Sequence, residues 1–410
     1  MQTPLQTLPS AARTRVQART PVPAALSTWL EEADIRIDGP RSWDLQLNHP
    51  RLYSRVLRQW SMGLGEAYMD GDWDCEQLDE FFTRLLRLRA DQAPGGLARL
   101  KLAWALLEAA WRNPQAPDKA FVVGERHYDL GNDLFERMLD VRMVYSCAFW
   151  SHARTLDQAQ EDKLEMICRK LQLSPGMNLL DIGCGWGGLA RHAALHHGAQ
   201  VTGITVSKEQ ARHVEQLCAG LPVNVQLMDY RALQGRFDRI ASVGMFEHVG
   251  PKNHGTYLDT ARRLLADDGL FLLHTIGTDR PNGRTDPWIE RYIFPGGHLP
   301  AASELARAAE RSFVIEDWHN FGPDYDRTLM EWHARFDSAW PELKGRYTER
   351  FRRMWRYYLL SCAGFFRSRQ GQLWQLVLAK PQRAGAYRSI RPFQPPIRVN
   401  PDHDPEIRSA

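Results

Sequence analysis

No stretch of this chain has the run of about 20 apolar residues that a helix needs to cross a bilayer, so no membrane-spanning helix is expected. Cysteine is scarce: the six stand alone at 75, 147, 168, 184, 218 and 362, with no C-x-x-C pair and no His/Cys ligand spacing. That argues against a metal site and a disulfide scaffold, and fits a reducing cytoplasm. Strong charge is lacking too. The formal net charge is +3, whereas a nucleic-acid binder concentrates basic residues on one patch, so nucleic acid is not an expected partner. A signal peptide is not read either: Arg13, Arg15 and Arg19 precede no continuous apolar core. Rich in Pro, Ala, Ser and Thr, residues 1–23 read as a disordered lead-in.

What the chain does contain divides in two. Residues 24–115 read as a helical domain. One helix near Gln77–Arg89 sets Leu78, Phe81, Phe82, Leu85 and Leu86 on one face. Another, from about Leu97 to Trp111, repeats Leu97, Leu100, Trp104, Leu107 and Trp111 at helical spacing. Core packing is the plainer reading of these faces; contact with lipid or a second subunit is the sharper one. The run Asn113-Pro114-Gln115-Ala116-Pro117-Asp118 reads as the start of a linker, which is placed at 116–127. Residues 128–381 alternate strands with helices. Strands are predicted at 178–182, 201–206, 223–227, 238–243 and 269–275, and helices at 157–172, 187–197, 207–219 and 253–266. That alternation predicts an α/β fold, a mostly parallel sheet covered on both faces. Gln372–Ala379 is expected to close it as an antiparallel edge, and 382–410 to form a loose tail.

The densest local motif is Leu179-Leu180-Asp181-Ile182-Gly183-Cys184-Gly185-Trp186-Gly187-Gly188, an apolar strand running into a glycine turn and a helix. Glycines let a ligand approach the backbone, and the helix start offers free N–H groups. Gly183, Gly185 and Gly188 also fit the dinucleotide pattern, but that pattern expects an acid at the end of the next strand. Here the strand ends Gly203-Ile204-Thr205-Val206-Ser207, with no carboxylate before Glu209. Asp181-x-Gly183-x-Gly185 instead resembles the first motif of class I S-adenosylmethionine-dependent methyltransferases, although those enzymes usually place an acid where Thr205 stands.

Further stretches narrow the likeness: His127-Tyr128-Asp129-Leu130-Gly131-Asn132, Tyr145-Ser146-Cys147, Gly203 to Gln210, Gly244-Met245-Phe246-Glu247-His248-Val249-Gly250, His274-Thr275-Ile276-Gly277 and Phe321-Gly322-Pro323-Asp324-Tyr325. In order and spacing they resemble bacterial cyclopropane-fatty-acyl-phospholipid synthases from about residue 24 to 380, and more distantly the mycolic acid cyclopropane synthases, which lack the N-terminal helical part. The resemblance implies a class I methyltransferase fold. It implies that Tyr145, Ser146, Asp181, Gly183, Gly185, Thr205 and Gln210 serve S-adenosylmethionine, with Asp229 and Tyr230 beside the adenine. It implies a bicarbonate held by Glu247, His274 and Tyr325 and by the backbone at Cys147 and Ile276. It also implies unsaturated membrane phospholipid as substrate, a homodimer, and a cytoplasmic enzyme that visits the inner face of the membrane.

The chemistry explains the residue types. An alkene is a poor nucleophile and needs a sulfonium-borne methyl. The positive charge left on the acyl chain then needs a base to take a proton from the new methyl group, in a site that excludes water. An anion aimed by an acid, an imidazole and a phenol combines general base catalysis with preorganised charge. Phe149, Trp150 or Phe246 is expected to offer a ring face to the cation, and the segment 279–299, with Trp288, Tyr292 and Phe294, to line an acyl channel. The Cys147 thiol has no adjacent base and is read as dispensable, and His248 as structural. Rival readings are a lipid methyltransferase giving a methyl branch, a non-catalytic lipid-binding relative, and a nicotinamide enzyme.

Overall fold

The computed structural model describes residues 21–88, 131–281 and 285–390. The expected helix from Leu97 to Trp111, the linker, and most of the lead-in and tail lie outside the described residues. The chain begins with α1 (Ala24–Glu32), a short β1 (Gln46–Leu47), α2 (Arg51–Met69), β2 (Trp73–Asp74) and α3 (Leu78–Arg87). α3 takes the place expected from its apolar face. Acids occupy its first turn and arginines its last, matching the helix dipole.

α2 is broken at Trp60, whose φ of 49° and ψ of −122° are non-helical. The bend lays Gly63 against the Arg55 carbonyl, where a Cβ would have no room. Arg55, from the first arm, forms ion pairs with Asp70 at 2.8 Å and Asp72 at 3.0 Å beyond the second. Trp60 at the bend is 63% exposed and Leu57 48%.

After α4 (Asn132–Met138) and an irregular stretch, α5 (Leu156–Lys170) leads into the sheet. Its strands are β3 (Asn178–Ile182), β4 (Gln200–Thr205), β5 (Val223–Leu227), β6 (Phe237–Val243), β7 (Leu265–Thr278), β8 (Val314–Asn320) and β9 (Gly371–Ala379). Between them run α6 (Gly188–His197), α7 (Lys208–Leu217), α8 (His254–Leu264), α9 (Pro287–Tyr292), α10 (Ala302–Ala309), α11 (Pro323–Leu343) and α12 (Glu349–Arg367). The strand order is β5-β4-β3-β6-β7-β9-β8. The first five are parallel; β9 runs antiparallel to both neighbours.

The α/β reading therefore holds, with one correction. β9 is antiparallel but internal, and the edge is β8, which alternation did not reveal. Ile315 and Asp317 flank a register shift in β8, and a bulge of this kind breaks the period-two pattern. Consecutive strands fan out in opposite directions from β3, so the crevice at the carboxyl ends of β3 and β6 is the place where such sheets take ligands.

Apolar clusters cover both sheet faces. A third, larger cluster joins residues of α1–α3 to α11 and α12, with Trp73, Phe81, Phe135, Trp332 and Trp355 at its centre. The N-terminal helices thus share a core with the C-terminal ones. Arg367 on α12 adds polar ties, pairing with Asp79 of α3 at 2.5 Å and Asp326 of α11 at 2.8 Å.

Candidate active site

β3 ends in the glycine turn, where Gly183, Gly185 and Gly187 have φ of 81°, 55° and 85°. These left-handed conformations are disfavoured for residues with a Cβ, so the turn depends on its glycines. It forms one side of a cavity of about 200 Å³. Tyr145, Ser146, Asp181, Gly183, Gly185, Thr205, Gln210, Asp229 and Tyr230 all line this cavity. The Thr205 hydroxyl donates to Gln210 Oε1 at 2.7 Å, which leaves the amide N–H₂ of Gln210 available to a ligand. The Asp229 carboxylate is gripped by Arg231, which also lines the cavity, at 2.6 and 2.8 Å.

Tyr145 and Ser146 lie in the irregular stretch between α4 and α5. α5 holds that stretch: Gln160 donates to the carbonyls of Val144 and Ser146 at 3.2 and 2.9 Å, and Lys163 to Ser146 Oγ at 2.9 Å.

A second cavity, of about 510 Å³, lies alongside. Tyr145, Ser146, Gly244 and His248 line both, so the two share a wall. Its lining is largely apolar, drawn from Trp29, Trp60, Phe82 and Leu85 near the N-terminus, from Ile289 and Phe294, and from Tyr357, Tyr358 and Phe365 on α12. Glu247, His274, Ile276 and Tyr325 converge on it.

Glu247 follows β6 in a single 3-10 turn and is 7% exposed. Its Oε1 accepts the Ile276 N–H at 2.6 Å, while Oε2 has no partner among the described residues. Burial pushes its carboxyl up to about 7, against the pull of the Ile276 N–H. The Ile276 backbone donor is therefore directed at Glu247.

His274, on β7, is 1% exposed, and burial holds it well below its usual range, hence neutral. Lys170 Nζ donates to Gln375 Oε1 at 2.9 Å, which fixes the amide so that its Nε2 faces His274 Nδ1 at 3.2 Å. Nδ1 must then accept, so the proton sits on Nε2. That N–H has no partner among the described residues. Burial raises Tyr325 well above the ordinary phenol range, so it is a donor. A neutral N–H, an O–H and a carboxyl raised by burial line one chamber, with orphaned atoms among the described residues on two of the three, and this set suits a small oxyanion with one hydroxyl.

Cys147 is completely buried and absent from both linings; its thiol donates to the Ala148 carbonyl at 3.2 Å, and burial pushes its pKa far up. The expected aromatic trio does not face the site. Phe149 packs on His319 and Phe321, Trp150 lies under Arg327 and bonds Thr328, and Phe246 stacks on His254. Neighbouring sequence does not fix side-chain direction outside regular elements, which is why they misled. Of the 279–299 segment, Phe294 lines the cavity, but Trp288 packs on Tyr357 and Tyr292 bonds Glu66 at 2.8 Å.

Lys163, Lys170 and Gln375 escaped the sequence reading. Lys163 sits three residues after Gln160, seven after Leu156 and four before Ile167 on the buried face of α5, and a lysine on an apolar stripe was the available signal. Cys168, His192 and His197 bring ligand atoms within 4.8 Å of one another. Both imidazoles already meet the Glu165 carboxylate, at 3.3 and 2.9 Å, and none of the four lines either cavity.

The mycolic acid cyclopropane synthetase family profile matches residues 115–376. The cyclopropane-fatty-acyl-phospholipid synthase of Escherichia coli (strain K12) is 52% identical over 353 residues, 86% of this chain and 91% of that one. The chain belongs to this family. Among solved structures, the cyclopropane synthase MmaA2 from Mycobacterium tuberculosis superposes with a TM-score of 0.61 at 33% identity, covering 63% of this chain and 98% of that one. Mycolic acid cyclopropane synthase CmaA1, complexed with SAH and CTAB, gives 0.61 at 34% identity over the same shares. This member of the cyclopropane synthase family thus extends beyond the mycolic relatives and matches the Escherichia coli enzyme over most of its length.

Proposed function

We propose that the protein transfers a methylene carbon from S-adenosylmethionine to the cis double bond of a phospholipid acyl chain, forming a cyclopropane, with bound bicarbonate as the base. The observation that carries this is the shared wall. A glycine-turn cavity abuts an apolar chamber, and Glu247, His274 and Tyr325 open into that chamber.

S-adenosylmethionine, when bound, supplies an electrophilic methyl group. Gly183 and Gly185 let it lie against the backbone, and Gln210, braced by Thr205, offers donors to its sugar. Bicarbonate between Glu247, His274 and Tyr325 supplies an oxygen base. Glu247 would accept its hydroxyl, and the His274 and Tyr325 donors would hold the remaining oxygens. The apolar lining keeps water from trapping positive charge on the acyl chain, and the ring faces of Tyr145, Phe294 and Tyr358 favour that charge.

The fit of chamber to acyl chain supports a lipid substrate, since pockets of roughly 300–1,000 Å³ suit ligands of this size. None of the described helices is long and apolar enough to cross a membrane, which suits an enzyme that works from the bilayer surface. The family likeness to phospholipid enzymes favours a homodimer, with the segment 24–115 contributing to lipid or subunit contact.

The test incubates the protein with S-adenosylmethionine and unsaturated phospholipid vesicles, with bicarbonate stripped and restored. Ring protons in the NMR spectrum of the product, and their dependence on bicarbonate, are expected. A methyl branch in place of the ring would favour the methyltransferase reading. Vesicle binding with no cofactor consumed would leave only a lipid-binding relative.

A further inference from the structure

Away from both cavities, α5 and α6 bring together a thiol, two imidazoles and a carboxylate. Glu165 and Cys168 stand one turn apart on α5, and His192 and His197 stand on α6. One ligand atom each from Cys168, His192 and His197 lies within 4.8 Å of the other two. Glu165 Oε2 meets Nε2 of His192 at 3.3 Å and Nε2 of His197 at 2.9 Å. Spacing along the chain gives no sign of this group, because the thiol and the rings come from different helices.

The donor types suit zinc, which favours thiolate and imidazole. Its bonds of about 2.0–2.3 Å set neighbouring ligands of a tetrahedron roughly 3.3–3.8 Å apart. The separations here are of that order, and an ion would draw the widest of them in by about 1 Å. Charge balances as well. A thiolate and a carboxylate are negative and two neutral imidazoles are not, so one divalent cation leaves the group neutral. That balance matters because Cys168 is 0% exposed and His192 6%, and uncompensated charge is costly when buried. Access is open at one end, where the side chains of His197 and Glu165 are 15% and 34% exposed. Hydrogen bonds from the two rings account for Glu165. They do not account for a thiol within ligand distance of both rings.

We propose that this group is a zinc site, in which Cys168, His192 and His197 ligate the ion and the Glu165 carboxylate balances its charge. On binding, the sulfur–zinc bond forms and the thiol proton leaves to solvent. The ion staples the C-terminal end of α5 to that of α6. Through Gln160, α5 holds the carbonyls of Val144 and Ser146, and α6 begins at the glycine turn. The staple therefore braces two walls of the glycine-turn cavity from outside and takes no part in the chemistry within it.

Titration of the untagged full chain, stripped with a chelator, tests this. Cobalt(II) takes zinc's place and reports its ligands by colour. One equivalent is expected to give the visible bands of a tetrahedral ion and a near-ultraviolet thiolate-to-cobalt band, and zinc should bleach both. Cys168→Ser should remove the thiolate band. Glu165→Gln should weaken binding by about 10–100-fold, the scale for a group one step back from the ion, and His197→Gln by more. Zinc should also raise the unfolding midpoint of stripped wild type and not that of His197→Gln. A wild type that stays colourless and gains no stability from zinc overturns the site, and that result needs no variant to fold. A thiolate band that survives Cys168→Ser places the ion on another cysteine and overturns it too. So does a cobalt complex with no thiolate band, which leaves only histidines near the surface.

Discussion

A carboxyl held near 7 by burial, as at Glu247, changes charge within the ordinary working range of an enzyme. To accept a bicarbonate hydroxyl it must be ionised. Bicarbonate-dependent turnover is therefore expected to rise with pH along an acid limb near 7, and a pH–rate profile checks it. Glu247→Gln should lower turnover by about 100-fold or more, while binding of S-adenosylhomocysteine changes by less than about two-fold. The same burial has a cost in stability. Glu247 and Asp181 are raised to about 7 from 4.5 and 3.8. Between those limits the folded chain binds more protons than the unfolded one, so the contribution present at low pH is lost as pH rises, and it levels off above about 7. Buried His192, His248, His254, His274 and His333, held below their usual range by burial, act in the opposite sense over much of the same interval, so urea melts of the ligand-free protein should show the decline as a difference: the stability of wild type relative to the double variant Glu247→Gln, Asp181→Asn should fall as pH rises towards about 7. Gln375 acts one step back from the chamber. Gln375→Met removes the donor that makes His274 Nδ1 an acceptor, and should cut turnover about 10-fold with cofactor binding unchanged, as losses of a ligand-orienting partner typically do.

Among the elements, the broken α2 stands out. Trp60 has a backbone geometry that favours glycine and a side chain mostly in solvent. Relief of such strain is worth on the order of 1–3 kcal/mol, so Trp60→Gly should raise the midpoint of thermal unfolding despite the loss of its edge-on contact with Trp29. A lowered midpoint would mean that the aromatic contact outweighs the strain. The bend was not legible in advance, because Ser61, Met62 and Gly63 carry no turn signal that outranks a helical pattern. The sheet was legible: β3 to β6 are short, apolar and separated by helices, and their predicted limits lie within a residue of those observed. β7 runs four residues earlier and three later than its apolar centre suggested, since Asp267 and Asp268 interrupt the pattern without interrupting the strand. Of the site, the residues that meet at the glycine turn were legible from motifs. Lys163, Lys170 and Gln375 were not, because their role depends on which neighbours the fold brings across from other elements.

Across the whole molecule, the helices of the first 87 residues are packed on α11 and α12 in one apolar cluster, so they cannot melt away by themselves without exposing Trp73, Phe81 and Trp355. Calorimetry should record one cooperative transition rather than two. Arg367→Met, which cuts the polar ties from α12 to Asp79 and Asp326, should lower stability by about 1–3 kcal/mol, and it should shift that single transition without splitting it.

The chamber wall drawn from Trp29, Phe82 and Phe365 has a consequence for how the enzyme comes into being. The pocket beside the glycine turn draws its lining from residues 143 to 249, and a growing chain completes it well before synthesis ends. The chamber beside it also needs Leu373, far downstream, to meet side chains made near the start. An interrupted translation product can thus carry the lining for a methyl donor while lacking the enclosure in which that donor is used, so unfinished chains are built without the means to alkylate lipid.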